Sequence, residues 1–180
     1  MSAPDFYDVG PLAQIAVNLF YGWGYNFYRL ENQLRADDQM IRAKAGWLLG
    51  QARASVAEAE SAWRHEFLPP PSRAKPLPDP AAVTGAQTIE KLGSDIGALA
   101  GRINAMPVPA QDRMTQLYRD EAAILQQLAA LDQTLVGQAE MLRSLLEHKS
   151  GAWIIESRVL LQDGLNAIGG TLGQRQALLL

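Results

Sequence analysis

The stretch Ile89–His148 reads IEKLGSDIGALAGRINAMPVPAQDRMTQLYRDEAAILQQLAALDQTLVGQAEMLRSLLEH, and its periodicity decides the fold class. In the first arm Ile89, Leu92, Ile96, Leu99, Ile103 and Met106 recur at alternating steps of three and four, which lines them along one face of a helix. Met106-Pro107-Val108-Pro109-Ala110 stops that helix, because a proline pushes the residue before it out of the helical region and here does so twice. A second arm resumes at Gln111 or Asp112 with the seam Leu117, Ile124, Leu128, Leu131, Leu135, Gln138, Leu142 and Leu145. Two seamed helices joined by so short a turn are expected to fold back antiparallel. The sequence therefore predicts an all-α protein, an elongated antiparallel helical bundle or coiled-coil hairpin of four to five helices. The two seams face each other, and everything else packs on them.

Three residues of the first arm, Gly93, Gly97 and Gly101, fall on one stripe. Each glycine costs a helix about 1 kcal/mol against alanine, so the stripe is read as a place where another helix packs closely; the alternative is three tolerated surface positions. Gln138 interrupts the second seam. Either it is buried with a hydrogen-bond partner and sets register, or the second arm has outrun the first there and Gln138 faces solvent.

Upstream, residues 68–80 hold six of the ten prolines and read as an extended, semi-rigid linker. Its spaced prolines beside Arg73 and Lys75 also fit a ligand for a proline-reading domain, although a plain crossover between helices explains them. The linker divides the chain. Residues 1–67 form an aromatic-rich N-terminal helix or helix pair, 81–168 the hairpin plus a C-terminal helix of the same bundle, and 169–180 a Gly/Leu tail. Within the first part Ile41, Ala45, Leu48, Ala52, Val56, Ala59, Trp63 and Phe67 make an alanine-rich stripe suited to tight helix approach. Asp37-Asp38 is either a break capping this helix or part of one unbroken helix.

Between Phe20 and Tyr28 lie six of the thirteen aromatic residues: Phe20, Tyr21, Trp23, Tyr25, Phe27 and Tyr28. They surround most of a helix circumference, more than one core face absorbs. Together with Leu178, Leu179 and Leu180 at the C-terminus, which either dock on the body or serve as a short binding peptide, they are the expected partner-binding residues, since tryptophan and tyrosine dominate binding hot spots. Val9–Tyr28 carries no charge, but Pro11, Gln14, Asn18, Gly22, Gly24 and Asn26 argue against a spanning helix. Downstream, Ser150-Gly151 is a candidate break. Trp153, Ile154, Val159, Leu160, Leu161, Leu165 and Ile168 then form a last helix that Gly169-Gly170 is expected to end.

The composition, 48% hydrophobic and 19% charged, is that of a globular domain. A net charge of −3 without a basic stripe makes nucleic acid an unexpected partner. There is no cysteine, so disulfides, thiolate metal sites and cysteine nucleophiles are excluded. That absence fits a reducing, cytoplasmic setting, as does an N-terminus with acids where a signal peptide needs bases. His65 and His148 lack the Glu-x-x-His spacing of a bundle metal site and are expected to be helix-end residues. No Gly-x-Ser-x-Gly elbow or phosphate loop is present. The expectation is a protein without catalytic residues, metal or cofactor: a scaffold, adaptor or assembly subunit binding another protein or its own copies. Two alternatives remain. One is a peripheral membrane-surface protein using residues 9–28. The other is a ligand carrier or enzyme with an inter-helix pocket lined by Tyr21, Trp23, Tyr25 and Tyr28.

Overall fold

The computed structural model describes residues 31–73, 76–106 and 121–179, with side chains described for 39–73, 76–106 and 127–178. The aromatic run 20–28, the proline turn after Met106, Leu117 and Leu180 lie outside the described residues, as do the side chains of Ile124 and Leu179. Among the described residues there are five helices and no strand: α1 Glu31–Phe67, α2 Pro80–Asn104, α3 Glu121–Leu146, α4 Gly151–Glu156 and α5 Arg158–Leu179. The protein is an all-α helical bundle.

Residue pairs across the interfaces give the directions. Arg42 donates to the carbonyl of Met106 at 2.6 Å, and Trp63 Nε1 donates to that of Ala82 at 2.9 Å. Thus α1 and α2 run antiparallel, and the exposed linker returns the chain to the end it left. Asp79 caps α2 by accepting from Ala81 N at 3.1 Å, with Pro80 in the first turn where its missing N–H is not needed. Gln138 and Asp132 of α3 meet Thr171 and Arg175 of α5, so this pair is antiparallel too.

The α2 seam is buried as its spacing predicts, with Ile89, Leu92, Ile96, Leu99, Ile103 and Met106 all in the core; on α3 Leu128, Leu135 and Leu142 are in the core while Leu131 and Leu145 are half-buried. Their partners differ from the expectation. The α2 seam faces α1, and α3 packs on α1 and α5, while α2 and α3 barely touch through the described residues. They occupy opposite corners of the bundle, with α1 and α5 at the other two. Sixteen residues separate Asn104 from Glu121, and a connection of that length does not oblige its helices to be neighbours. Burial of the five consecutive residues 135–139 shows α3 enclosed on every side there. One seam could not have met that need.

Three local expectations resolve. Helix α1 runs unbroken through Asp37-Asp38. Ser150 does start a new helix: its Oγ accepts from Trp153 N at 3.3 Å. The expected end at Gly169-Gly170 is wrong, because α5 continues to Leu179. Thr171, Leu172 and Arg175 are buried beyond the glycines, and that packing outweighs the roughly 1 kcal/mol each glycine costs the helix.

Candidate functional site

Three places in the described structure hold more polarity or exposure than a bundle needs. The first is a buried polar layer between α1, α3 and α5, made of Arg42, Lys44, Asp132, Gln138, Thr171 and Arg175. Arg175 is fully enclosed, and its Nε donates to Asp132 Oδ1 at 2.7 Å. Burial pushes the Asp132 carboxyl up to about 8, against the pull of the Arg42 charge, and brings Arg175 down to about 10. Thr171 Oγ1 donates to Gln138 Oε1 at 2.9 Å. Gln138 is therefore a buried seam amide with a cross-helix partner. Lys44 is held below the usual lysine range by burial, which Glu140 opposes and Arg143 reinforces. Glu140 is itself clamped by both Nε and Nη2 of Arg143 at 2.7 Å. Every charge in this layer faces a side chain or carbonyl of its own chain, an arrangement suited to fixing helix register.

The second place is a pair of open grooves. One, of about 390 Å³, runs between α2 and α5 beneath Lys91, Asp95, Arg158 and Asp163. The other, of about 520 Å³, lies between Trp63 and Phe67 of α1 and the His148-Lys149-Ser150 corner. The Trp63 and Phe67 rings pack with a 40° tilt at 4.3 Å between centroids, and Lys149 Nζ sits 5.2 Å from the centre of the Trp153 ring. His148 takes φ 56°, the left-handed conformation that turns the chain from α3 into α4. Neither groove brings together a nucleophile, a base and an oxyanion donor. No group of three or more His, Cys, Asp or Glu among the described residues is placed to hold a metal ion. No described helix is long and apolar enough to cross a membrane.

The third place is the outer face of α1. Met40, Ala43, Trp47, Gly50, Ala54, Ala57 and Ser61 recur at steps of three and four, and all are exposed. Trp47 is 53% exposed and Met40 41%. Lys44 Nζ lies 4.3 Å from the centre of the Trp47 ring and holds it by a cation–π contact. Arg53, which flanks the stripe, is turned away from it onto Gly97 of α2. This second seam has the same three-four spacing as the alanine-rich core stripe and precedes it by one or two residues along the chain.

Of the residues expected to bind a partner, Phe20, Tyr21, Trp23, Tyr25, Phe27, Tyr28, Leu179 and Leu180 lie outside the described side chains, and Leu178 is half-buried near the end of α5. The glycine stripe needs correction as a close-packing site. A methyl on Gly93 would meet Val56 at 3.5 Å and one on Gly97 would meet Arg53 at 3.6 Å, both ordinary contacts, while Gly101 faces open space. The tight positions are Gly85 and Gly151, which clasp Trp63. A methyl on Gly85 would stand 2.6 Å from Trp63 Cζ2, and one on Gly151 would stand 2.9 Å from Ile89 Cδ1 and 3.1 Å from Trp63 Cβ. Periodicity missed them because their need for glycine comes from a tryptophan on another helix.

Fold and site together define a helical bundle with an uncharged apolar stripe along one outer helix. No protein-family model, curated protein or solved structure matches the chain.

Proposed function

We propose that the chain is a non-enzymatic interaction module, a scaffold, adaptor or assembly subunit that works by presenting an apolar helical surface to another protein. The observation that carries this reading is Trp47: a large aromatic ring, more than half exposed and held by Lys44, in the N-terminal half of a stripe of seven uncharged residues. Tryptophan fixed in one rotamer is the side chain that contributes most to protein–protein contacts, because it buries much area at little entropic cost. The aromatic run from Phe20 to Tyr28, close upstream of α1 in the sequence, supports the same reading through its composition. The test is affinity capture with the tagged full chain against Trp47→Ala and Trp23→Ala. A partner recovered by the parent and lost from either variant, with the helical spectrum unchanged, supports the reading. Identical recovery by all three proteins, or none by any of them with no self-association, sinks it.

A further inference from the structure

The outer stripe of α1 has a shape that selects its occupant. Its bulky residues, Met40 and Trp47, lie in the N-terminal half, and Gly50, Ala54, Ala57 and Ser61 make the other half small. Nothing stands within 4 Å of where a methyl on Gly50 would project, so the middle of the stripe is open to a neighbouring backbone. An antiparallel copy of the same helix, crossing near Gly50, sets each Trp47 over the small Gly50–Ala54 step opposite and each Met40 against the Ala57–Ser61 end. Each bulky residue meets small ones, small residues face each other at Gly50 and between Ala43 and Ala57, and the two halves are exchanged by a two-fold axis, the symmetry most homodimers adopt. Helix dipoles also favour the antiparallel sense.

The seven stripe residues are uncharged, Arg53 is drawn off one edge onto α2, and the exposed Glu58, four residues after Ala54 and three before Ser61, borders the other edge. From Met40 to Ser61 the helix is about 32 Å long at 1.5 Å per residue. Two such faces at the roughly 8 Å axial distance that small residues allow bury about 1,000 Å² in total, the lower bound for a specific interface. We infer that this protein forms a symmetric antiparallel homodimer through the Met40–Ser61 face of α1. The inference deepens the interaction-module reading by naming the partner as a second copy.

The test uses the full chain. Sedimentation equilibrium from about 1 to about 200 μM is expected to show a monomer–dimer equilibrium. Gly50→Glu is expected to weaken it at least about tenfold by placing a charge in the crossing, while leaving the helical spectrum and Tm near the parent's. The chain has no cysteine, so Gly50→Cys reports geometry cleanly. Mild oxidation is expected to yield a disulfide-linked dimer from Gly50→Cys but not from Ala57→Cys alone, whereas Ala43→Cys mixed with Ala57→Cys cross-links. A parent that stays monomeric throughout the range, or a dimer indifferent to Gly50→Glu, overturns the inference. So does a dimer in which Ala57→Cys cross-links to itself as well as Gly50→Cys does, since that is a parallel pair. A monomer whose Trp47 fluorescence is shielded from acrylamide also overturns it, by showing the face covered within its own chain. A monomeric parent that still captures a partner through Trp47 leaves the interaction-module reading standing.

Discussion

Replacing Gly85 by alanine and replacing Gly101 by alanine are the same chemical change on the same helix, and the structure gives them opposite signs. In an isolated helix each adds about 1 kcal/mol of helix stability. At Gly101 the new methyl meets nothing within 4 Å, so most of that gain survives, and stability should rise by about 0.5–1 kcal/mol. At Gly85 the methyl lands 2.6 Å from Cζ2 and 2.9 Å from Cε2 of Trp63, and 3.1 Å from Ile155 Cδ1. The isoleucine tip can yield. The indole cannot move freely, because its Nε1 donates to the Ala82 carbonyl and its ring packs against Phe67. Relieving the overlap therefore means losing that hydrogen bond and part of the ring packing, about 2–3 kcal/mol for an overpacked aromatic site. The net for Gly85→Ala is a loss of about 1–2 kcal/mol, or about 3–6 °C in Tm for a chain of this size. Urea unfolding followed by far-ultraviolet circular dichroism measures both variants. Adding Trp63→Phe, which removes the indole atoms in the way, should abolish most of the Gly85→Ala penalty in a double-mutant cycle. A Gly85→Ala protein as stable as the parent, or a penalty that persists undiminished in the Trp63→Phe background, would refute the account of Gly85 as the seat of the indole.

Further predictions concern the buried layer and the α3–α4 corner. Arg175→Met should cost about 1–3 kcal/mol by leaving the buried Asp132 carboxyl without its Arg175 donor, and Asp132→Leu combined with Arg175→Met should recover much of that loss in thermal unfolding. Because burial raises the folded-state pKa of Asp132 from 3.8 to about 8, the folded protein binds this proton more tightly than the unfolded chain does. Its contribution is fully present below about pH 4 and is lost as pH rises through about 8. Urea titrations across that window should show the parent losing stability relative to Asp132→Asn, and parallel pH profiles would contradict the assignment. His148→Gly relieves the left-handed conformation at φ 56° and should stabilise by about 0.5–1 kcal/mol, read as a higher urea midpoint at unchanged slope.

Much of the architecture was legible as pattern. The three-four spacing of Ile89 to Met106 marked a helix face that is buried from end to end, because a helix in water has no other use for six aliphatic side chains on one side. The Pro69–Pro80 run marked the linker, and Ser150-Gly151 was legible as a break, although the cap that Ser150 supplies to α4 came from the structure. The site was less legible. The exposed stripe from Met40 to Ser61 has the same spacing as a core seam, and no count of residues says which of two adjacent seams is covered.

What the sequence by itself determined is therefore local: which segments are helical, where caps and prolines punctuate them, and which residue types can line a core. Hydrogen bonds within four residues and side-chain periodicity act inside one segment and are readable there. Tertiary structure alone decided that α2 turns its seam to α1 and stands diagonal to α3, that Arg175 finds Asp132 and carries α5 past Gly169-Gly170, and that Gly85 and Gly151, not Gly101, must lack a side chain. Each of these depends on atoms from segments distant in sequence, whose meeting is set by the packing of the whole bundle.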